Sequence, residues 1–335
     1  MKTIQIKRFG VDNLELVDIP LPIIKPNEVL VRITAAALQY LDLQVINGLI
    51  DPKLPLPHTP VSEGAGIVEK VGKEVTKWKT GDRVLINFIQ KWLAGKTNNE
   101  ANSLRIGLQI PGTLAEYMAV PEYGLVASPP NLTDEEASTL PVSGLTAWTN
   151  LVSNADVKAG QTVLIQGSGS VSLFALQIAN TLGVKIIAST GDDKKFDKLK
   201  ALGAHETFNY KKHKEWSKEV KRLNGGKGVD FTIDVGGSST ISQSILSCRE
   251  HGYVAVIGFL TGGNFEFDAH NLIMNYIRLQ GYSVGSRVDL ENLVSAVEVN
   301  NIKPIIDTVY PLSKTREAFK YLETGKSLGK VIIKL

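Results

Sequence analysis

Two textures of apolar and polar residues divide the chain. Over residues 1–143, short runs rich in Val and Ile are broken by Pro and Gly at close intervals, as in KPNEVLVRITAAAL, GAGIVEKVG, GDRVLINF and TLAEYMAVPE. Such runs predict short, mostly antiparallel strands joined by tight turns. From 144 onward, apolar runs of strand length alternate with stretches of helical length. The predicted strands are TVLIQ (162–166), VKIIAST (184–190), HETFNY (205–210), VDFTIDV (229–235), GYVAVIG (252–258) and IRLQGYSV (277–284); VSLFALQIANTLG and STISQSILSCRE are predicted helices. Parallel neighbours need a crossover of about a dozen residues or more. The alternation therefore predicts an α/β, doubly wound parallel sheet of six strands. After 285 the pattern reads helix, strand, helix, strand, ending in LGKVIIKL. Those elements exceed what a six-stranded sheet needs, so they are expected to rejoin the first domain. The expected division is 1–143 with 285–335, and 144–284.

The first of the six strands leads into VLIQGSGSVSLFALQIA. Gly167, Gly169 and Ser172 stand where a dinucleotide fingerprint places Gly-x-Gly-x-x-Gly or Ala. The first glycine permits a tight turn, and the second lets backbone amides reach a pyrophosphate that the helix N-terminus attracts. Glycines after a strand are common; at the head of six alternating strands they point to a bound dinucleotide. The ribose is read about 20 residues further on, where a carboxylate would hold its diol. Here the chain has Ser189, Thr190 and Gly191, while Asp192 and Asp193 sit where helix capping is the expected job. Without a carboxylate to repel a 2′-phosphate, and with Lys194, Lys195 and the Tyr210 hydroxyl available to it, the pattern favours NADP over NAD.

Composition narrows the partners. Lys and Arg number 37 against 34 Asp and Glu, a net +3 spread along the chain, which argues against nucleic acid. The run DDKKFDKLK alternates signs as a solvated helix face does. One cysteine, Cys248, excludes an internal disulfide and a multi-thiolate zinc site, and reads as a buried thiol near a helix end. His58, His205, His213, His251 and His270 show no i, i+4 pair, so surface or capping roles are expected for each. No window reaches 18 uninterrupted apolar residues, no signal-peptide core opens the chain, and the expected address is the cytoplasm.

Taken in order, AAALQYLDLQVING, PVSEGAGIVEKVG, GDRV, EEASTLPVSGLTAW, VLIQGSGSVSLFALQIA, LGAHETFNY, GVDFTIDVGG and GKVII resemble the medium-chain dehydrogenase/reductase superfamily, and within it the zinc-free quinone oxidoreductase-like branch. The resemblance implies a GroES-like, β-rich catalytic domain beside a Rossmann cofactor domain. Zinc-dependent members carry ligands in the first, second and fourth of these segments. The corresponding residues here are Gln39, Ser62 and Val142, none a good zinc ligand. The four-cysteine lobe of those members would fall at 88–111, which has no cysteine, so no metal is expected at either place. Glu63 remains in PVSEGAGIVEKVG, read as a carboxylate in a glycine-lined bend accepting backbone hydrogen bonds.

The resemblance also implies site residues. Thr146 would lie beside the nicotinamide, Gly167, Ser168, Gly169, Ser170 and Val171 along the pyrophosphate, Gly258 and Phe259 after the fifth strand, and Val284 and Gly285 near the carboxamide. Lys330 either reaches a phosphate or is a surface lysine. Gln39, Tyr40 and Asp42 are the candidate catalytic residues, with Ser62, Trp92 and Val142 around the substrate. The branch usually has Asn in place of Gln39, which weakens any role carried over to it. Tyr40 is either a hydrogen-bond donor or a packed aromatic; Asp42 either acts or only orients its neighbours. Zinc stabilises a developing alkoxide by several kcal/mol, so its loss handicaps alcohol oxidation most. A quinone or α,β-unsaturated carbonyl is already electrophilic. The expected activity is NADPH-dependent hydride transfer to such a substrate by a homodimer pairing through its last cofactor-domain strand. The alternatives are a zinc-independent alcohol dehydrogenase or aldehyde reductase, and an NADPH-binding sensor with little turnover.

Overall fold

The computed structural model describes residues 1–335 and divides into two compact units, Met1–Leu145 with Gly285–Leu335, and Thr146–Val284. In the first unit, β1 (Lys2–Ile6) and β2 (Leu14–Asp18) form an antiparallel pair. The main sheet is built on β3 (Glu28–Ala37), β4 (Gly64–Val71), β5 (Arg83–Ile86), β6 (Tyr117–Pro121), β7 (Leu125–Ala127), β14 (Ile306–Pro311) and β15 (Lys330–Lys334). Its order is β14-β15-β3-β4-β5-β7, with β6 also on β3. All pairings are antiparallel except that of β14 with β15. β3 is the axis, and its Val29, Val31 and Ile33 are buried where neighbours cover them. The register of β3 on β4 shifts between Ile33 and Ala35. There the strands approach so closely that a Cβ on Gly66 would stand 2.4 Å from the Arg32 carbonyl oxygen. The glycines of GAGIVEKVG thus admit a neighbouring backbone. Segment 88–111 folds on itself through bridges Ile89 to Arg105 and Ile106 to Ile110. Its Trp92 and Leu93 carbonyls accept from Arg287 and Val288, the first N–H groups of helix Arg287–Asn300.

The second unit holds β8 (Thr162–Gln166), β9 (Lys185–Thr190), β10 (Glu206–Asn209), β11 (Val229–Asp234), β12 (Cys248–Val256) and β13 (Arg278–Gly281). They form one parallel sheet in the order β10-β9-β8-β11-β12-β13. This is the Rossmann arrangement, in which chain order reverses direction at β8. Every residue of β8 is buried, as a central strand covered on both faces must be. Leu164, Ile187, Val254, Ile241 and Trp216 meet in the core beneath the crossover helices. No helix is long and apolar enough to cross a membrane.

Two expectations need correction. STISQSILSCRE is not helical to its end: the helix stops at Ser247 and Cys248 opens β12, pairing with Val229. The Cys248 thiol is buried, donates to the Ser244 carbonyl at 3.4 Å, and is pushed by burial up to about 12. His58 is no surface residue but is 7% exposed, and burial lowers its pKa. It is carried inward because its backbone pairs with Ile6 in both directions.

Candidate active site

At the carboxyl end of β8 the chain turns through Gly167, whose φ of 79° suits only glycine without strain. Its N–H donates to the Ser189 carbonyl at 2.9 Å, tying the turn to the end of β9. Ser172, third in the fingerprint, is 3% exposed and turns its hydroxyl back onto the Gln166 carbonyl at 2.6 Å. The polar side chain is thereby accommodated where the fingerprint asks for none. Gly169 precedes helix Ser170–Thr181 and offers it no side-chain cap. A Cβ on Gly169 would meet nothing within 4 Å, so open space lies before a 12-residue helix's N-terminus. Those features fit a pyrophosphate, which the amides and the helix dipole attract.

At the end of β9, Ser189 and Thr190 are buried and no carboxylate follows them directly. A Cβ on Gly191 would lie 2.9 Å from the Tyr210 hydroxyl oxygen and 2.8 Å from Lys211 Cε, so both side chains reach over this strand end. Lys211 was not singled out by the sequence pattern. Asp192 accepts from the Lys194 N–H at 3.1 Å as a cap. Asp193 does not cap; it accepts from Asn209 Nδ2 at 2.6 Å and pairs with Lys212. Lys194 is exposed, while Lys195 Nζ donates to Ser168 Oγ at 3.0 Å and joins the two loops.

A residue missed in the sequence organises the third loop. Asp234, fully buried at the end of β11, accepts from Gly236 N, Gly237 N, Thr240 Oγ1 and Ser244 Oγ. Gly258 packs on that loop so closely that a Cβ would stand 2.4 Å from the Val235 carbonyl oxygen. Phe259 beside it is 46% exposed. Thr146 is nearly buried and its carbonyl accepts from Asn150 Nδ2 at 2.8 Å; Val284 and Gly285 are buried beyond β13.

In the first unit, the chain leaving β3 enters helix Tyr40–Ile46 through a reciprocal cap between Gln39 and Asp42. Gln39 N donates to Asp42 Oδ2 at 2.9 Å. Asp42 Oδ1 accepts from Ser62 N at 3.1 Å and from Ser62 Oγ at 2.9 Å. Ser62 Oγ in turn accepts from Gln39 Nε2 at 3.0 Å, closing the network. Three of the predicted residues therefore meet. Asp42 is 1% exposed, and burial pushes its carboxyl up to about 7 against the opposing Ser62 hydrogen bond. Tyr40 lies outside the network and is 46% exposed, which does not match a packed aromatic. Trp92 is half-buried and bonds its own loop, Nε1 donating to the Gly95 carbonyl at 2.8 Å.

Glu63 is fully buried and accepts from Val142 N at 2.8 Å, Ser143 N at 3.0 Å and Ser143 Oγ at 3.2 Å. Those are the backbone bonds expected of a carboxylate in a bend. Its strongest partner was not foreseen. Lys330, 1% exposed, forms an ion pair with Glu63 Oε1 and donates to the Leu38 carbonyl at 3.0 Å. Lys330 is therefore not a surface lysine. Burial raises the Glu63 pKa, and the Lys330 ammonium opposes that rise.

The donor set here is one amide, one hydroxyl already shared between Asp42 and Gln39, and the aliphatic Val142. No three His, Cys, Asp or Glu side chains converge anywhere in the chain as a metal site would need. A zinc ion takes three or four protein ligands from Cys, His and carboxylate groups, which these residues do not supply.

Comparisons with known proteins agree with this layout. Residues 25–130 match the family model described as an alcohol dehydrogenase GroES-like domain, and residues 170–298 match that of a zinc-binding dehydrogenase. A zinc-type alcohol dehydrogenase-like protein of Schizosaccharomyces pombe is 36% identical over 318 residues, covering 93% of this chain and 92% of that protein. The quinone oxidoreductase of Homo sapiens is 28% identical over 345 residues, covering 100% and 98%. A crystal structure of a putative alcohol dehydrogenase from Sinorhizobium meliloti superposes with a TM-score of 0.94 at 35% identity, covering 100% of this chain and 98% of that one.

Proposed function

Because the chain belongs to the medium-chain dehydrogenase/reductase superfamily of oxidoreductases, we propose that it is a zinc-independent reductase that uses NADPH to reduce a quinone or an α,β-unsaturated carbonyl. The observation that carries this reading is the Gln39–Ser62–Asp42 network, an amide and a hydroxyl standing where zinc-dependent members have ligands and held there by the Asp42 carboxylate. When bound, the nicotinamide supplies the hydride. The electron pair displaced at the substrate moves to its carbonyl oxygen, and the second N–H of Gln39 Nε2 is the donor proposed to meet it. A fixed hydrogen bond to such an oxyanion supports catalysis by about 2.7–4 kcal/mol. It suits a substrate that is already electrophilic better than an alcohol. A proton from water or a side chain completes the reduction.

The choice of NADPH rests on the end of β9. Ser189 stands where a diol-binding carboxylate would be, both following aspartates are engaged elsewhere, and Tyr210 and Lys211 reach over Gly191. Two measurements test the proposal. Turnover of a quinone, an enone and a simple alcohol, each with both nicotinamide cofactors, is expected to favour the first two with NADPH; preferential alcohol oxidation would overturn it. Ser189→Asp is expected to reverse the cofactor preference, measured as the ratio of kcat/KM for NADPH and NADH.

The zinc-type and alcohol dehydrogenase names of the relatives favour the second reading, alcohol dehydrogenase chemistry on the same scaffold. The substrate panel separates the two, since preferential alcohol oxidation would sink the first, and stoichiometric zinc on elemental analysis would sink zinc independence for both. NADPH binding without turnover on any carbonyl would instead point to a sensor.

A further inference from the structure

The geometry assigns Lys330 the part of an internal cation that holds segments 38–42, 62–63 and 142–143 together and so positions the Gln39 amide. This rests on the reading of Gln39 as a hydrogen-bond donor to substrate. The peptide group joining Leu38 to Gln39 is held at both ends: its C=O accepts from Lys330 Nζ at 3.0 Å, and its N–H donates to Asp42 Oδ2 at 2.9 Å. The preceding N–H, that of Leu38, donates to the Val331 carbonyl at 2.9 Å, so β15 clasps the chain just before the network begins. A second route runs through the side chains. Lys330 pairs with Glu63, Glu63 fixes the backbone of Val142 and Ser143, and Ser62, next to Glu63 in the chain, receives the Gln39 amide. The three segments a metal would cross-link in zinc-dependent members are thus joined by an ammonium and a carboxylate.

Stability alone does not call for this arrangement. A buried ion pair can often be replaced by neutral groups of similar size without loss, whereas removing one partner leaves an uncompensated charge. What an apolar replacement would lose is direction, the pull of one cation on the Leu38 carbonyl and the Glu63 carboxylate at once. Lys330 is on this view a positioning residue.

The test compares Lys330→Met with the doubly neutral Lys330→Met/Glu63→Gln; Lys330→Gln/Glu63→Gln, a polar doubly neutral variant, serves if the first double variant does not fold. The single variant is expected to lower the urea midpoint and the double to recover it, with NADPH affinity, read by fluorescence titration, within about twofold of wild type. In the double variant, kcat for quinone or enone reduction is expected to fall about tenfold or more while KM stays within about threefold, the signature of a misplaced transition-state donor. The side-chain amide signals of Gln39 in the 15N–1H spectrum, identified by their loss in Gln39→Ala, are expected to shift with it. A folded neutral variant with wild-type kcat and unmoved Gln39 signals would overturn the inference. If wild type reduces no quinone or enone, the functional reading fails instead, and the Gln39 signals alone decide the role of Lys330.

Discussion

Asp42 shows how a single burial sets a pH dependence. The carboxyl ionises near 3.8 in a free chain and at about 7 in the fold, so the folded state holds its proton more tightly. The stability that proton contributes is fully present below the lower value and is lost as pH rises through the upper one. Glu63 shifts in the same direction, and Lys330 and the Ser62 hydroxyl oppose the shift of Asp42. Urea unfolding of wild type and Asp42→Asn from about pH 4.5 to 7.5 isolates its share, because the other groups are common to both. Wild type is expected to lose stability relative to the variant as pH rises, by up to about 1.4 kcal/mol per unit. A flat difference would place Asp42 at its ordinary value. At this scale the sequence was legible where a residue's partners are local, as with the capping carboxylate of Asp192. Lys330 was not legible: lysines are mostly exposed, and its carboxylate partner lies at the other end of the chain, brought near only by the pairing of β15 with β3.

Among the elements, the glycines after β8 and β12 divide into two that the fold requires and one, Gly169, that it does not. Gly167→Ala is expected to cost about 1–2 kcal/mol from its left-handed backbone. Gly258→Ala must push the Val235 carbonyl aside and is expected to lower the thermal midpoint and weaken nicotinamide-cofactor binding together. Gly169 differs from both: its φ of −75° suits any residue, and its Cβ would enter empty space. Gly169→Ala is therefore expected to leave the midpoint within about a degree while weakening nicotinamide-cofactor binding about tenfold or more, because the methyl would take the room proposed for the pyrophosphate. Equal affinity in a titration would remove the phosphate from this loop. The six strands could be read from alternating texture because each is a buried run bounded by turn residues. The start of β12 could not, since Cys248, Arg249 and Glu250 continue a helical pattern that only the pairing of Cys248 with Val229 of β11 interrupts.

Taken as a whole, the chain makes one unit from consecutive residues and the other from its two ends. Pairing β3 with β15 requires closing a loop that contains the entire second unit, whereas β8 to β13 join through short crossovers. Loop closure over long separations slows folding. In refolding followed by pulsed hydrogen exchange, amides of β8, β9 and β11 are expected to gain protection before those of Ala35 to Ala37 and Ile332 to Lys334; the reverse order would contradict this. The return of the chain through β15 has a practical consequence for making chimaeras. Residues 146–284 form one uninterrupted cassette, so a relative's cassette can be spliced in with two junctions while Lys330 keeps its native carboxylate. Donor and recipient can then be matched one sheet at a time.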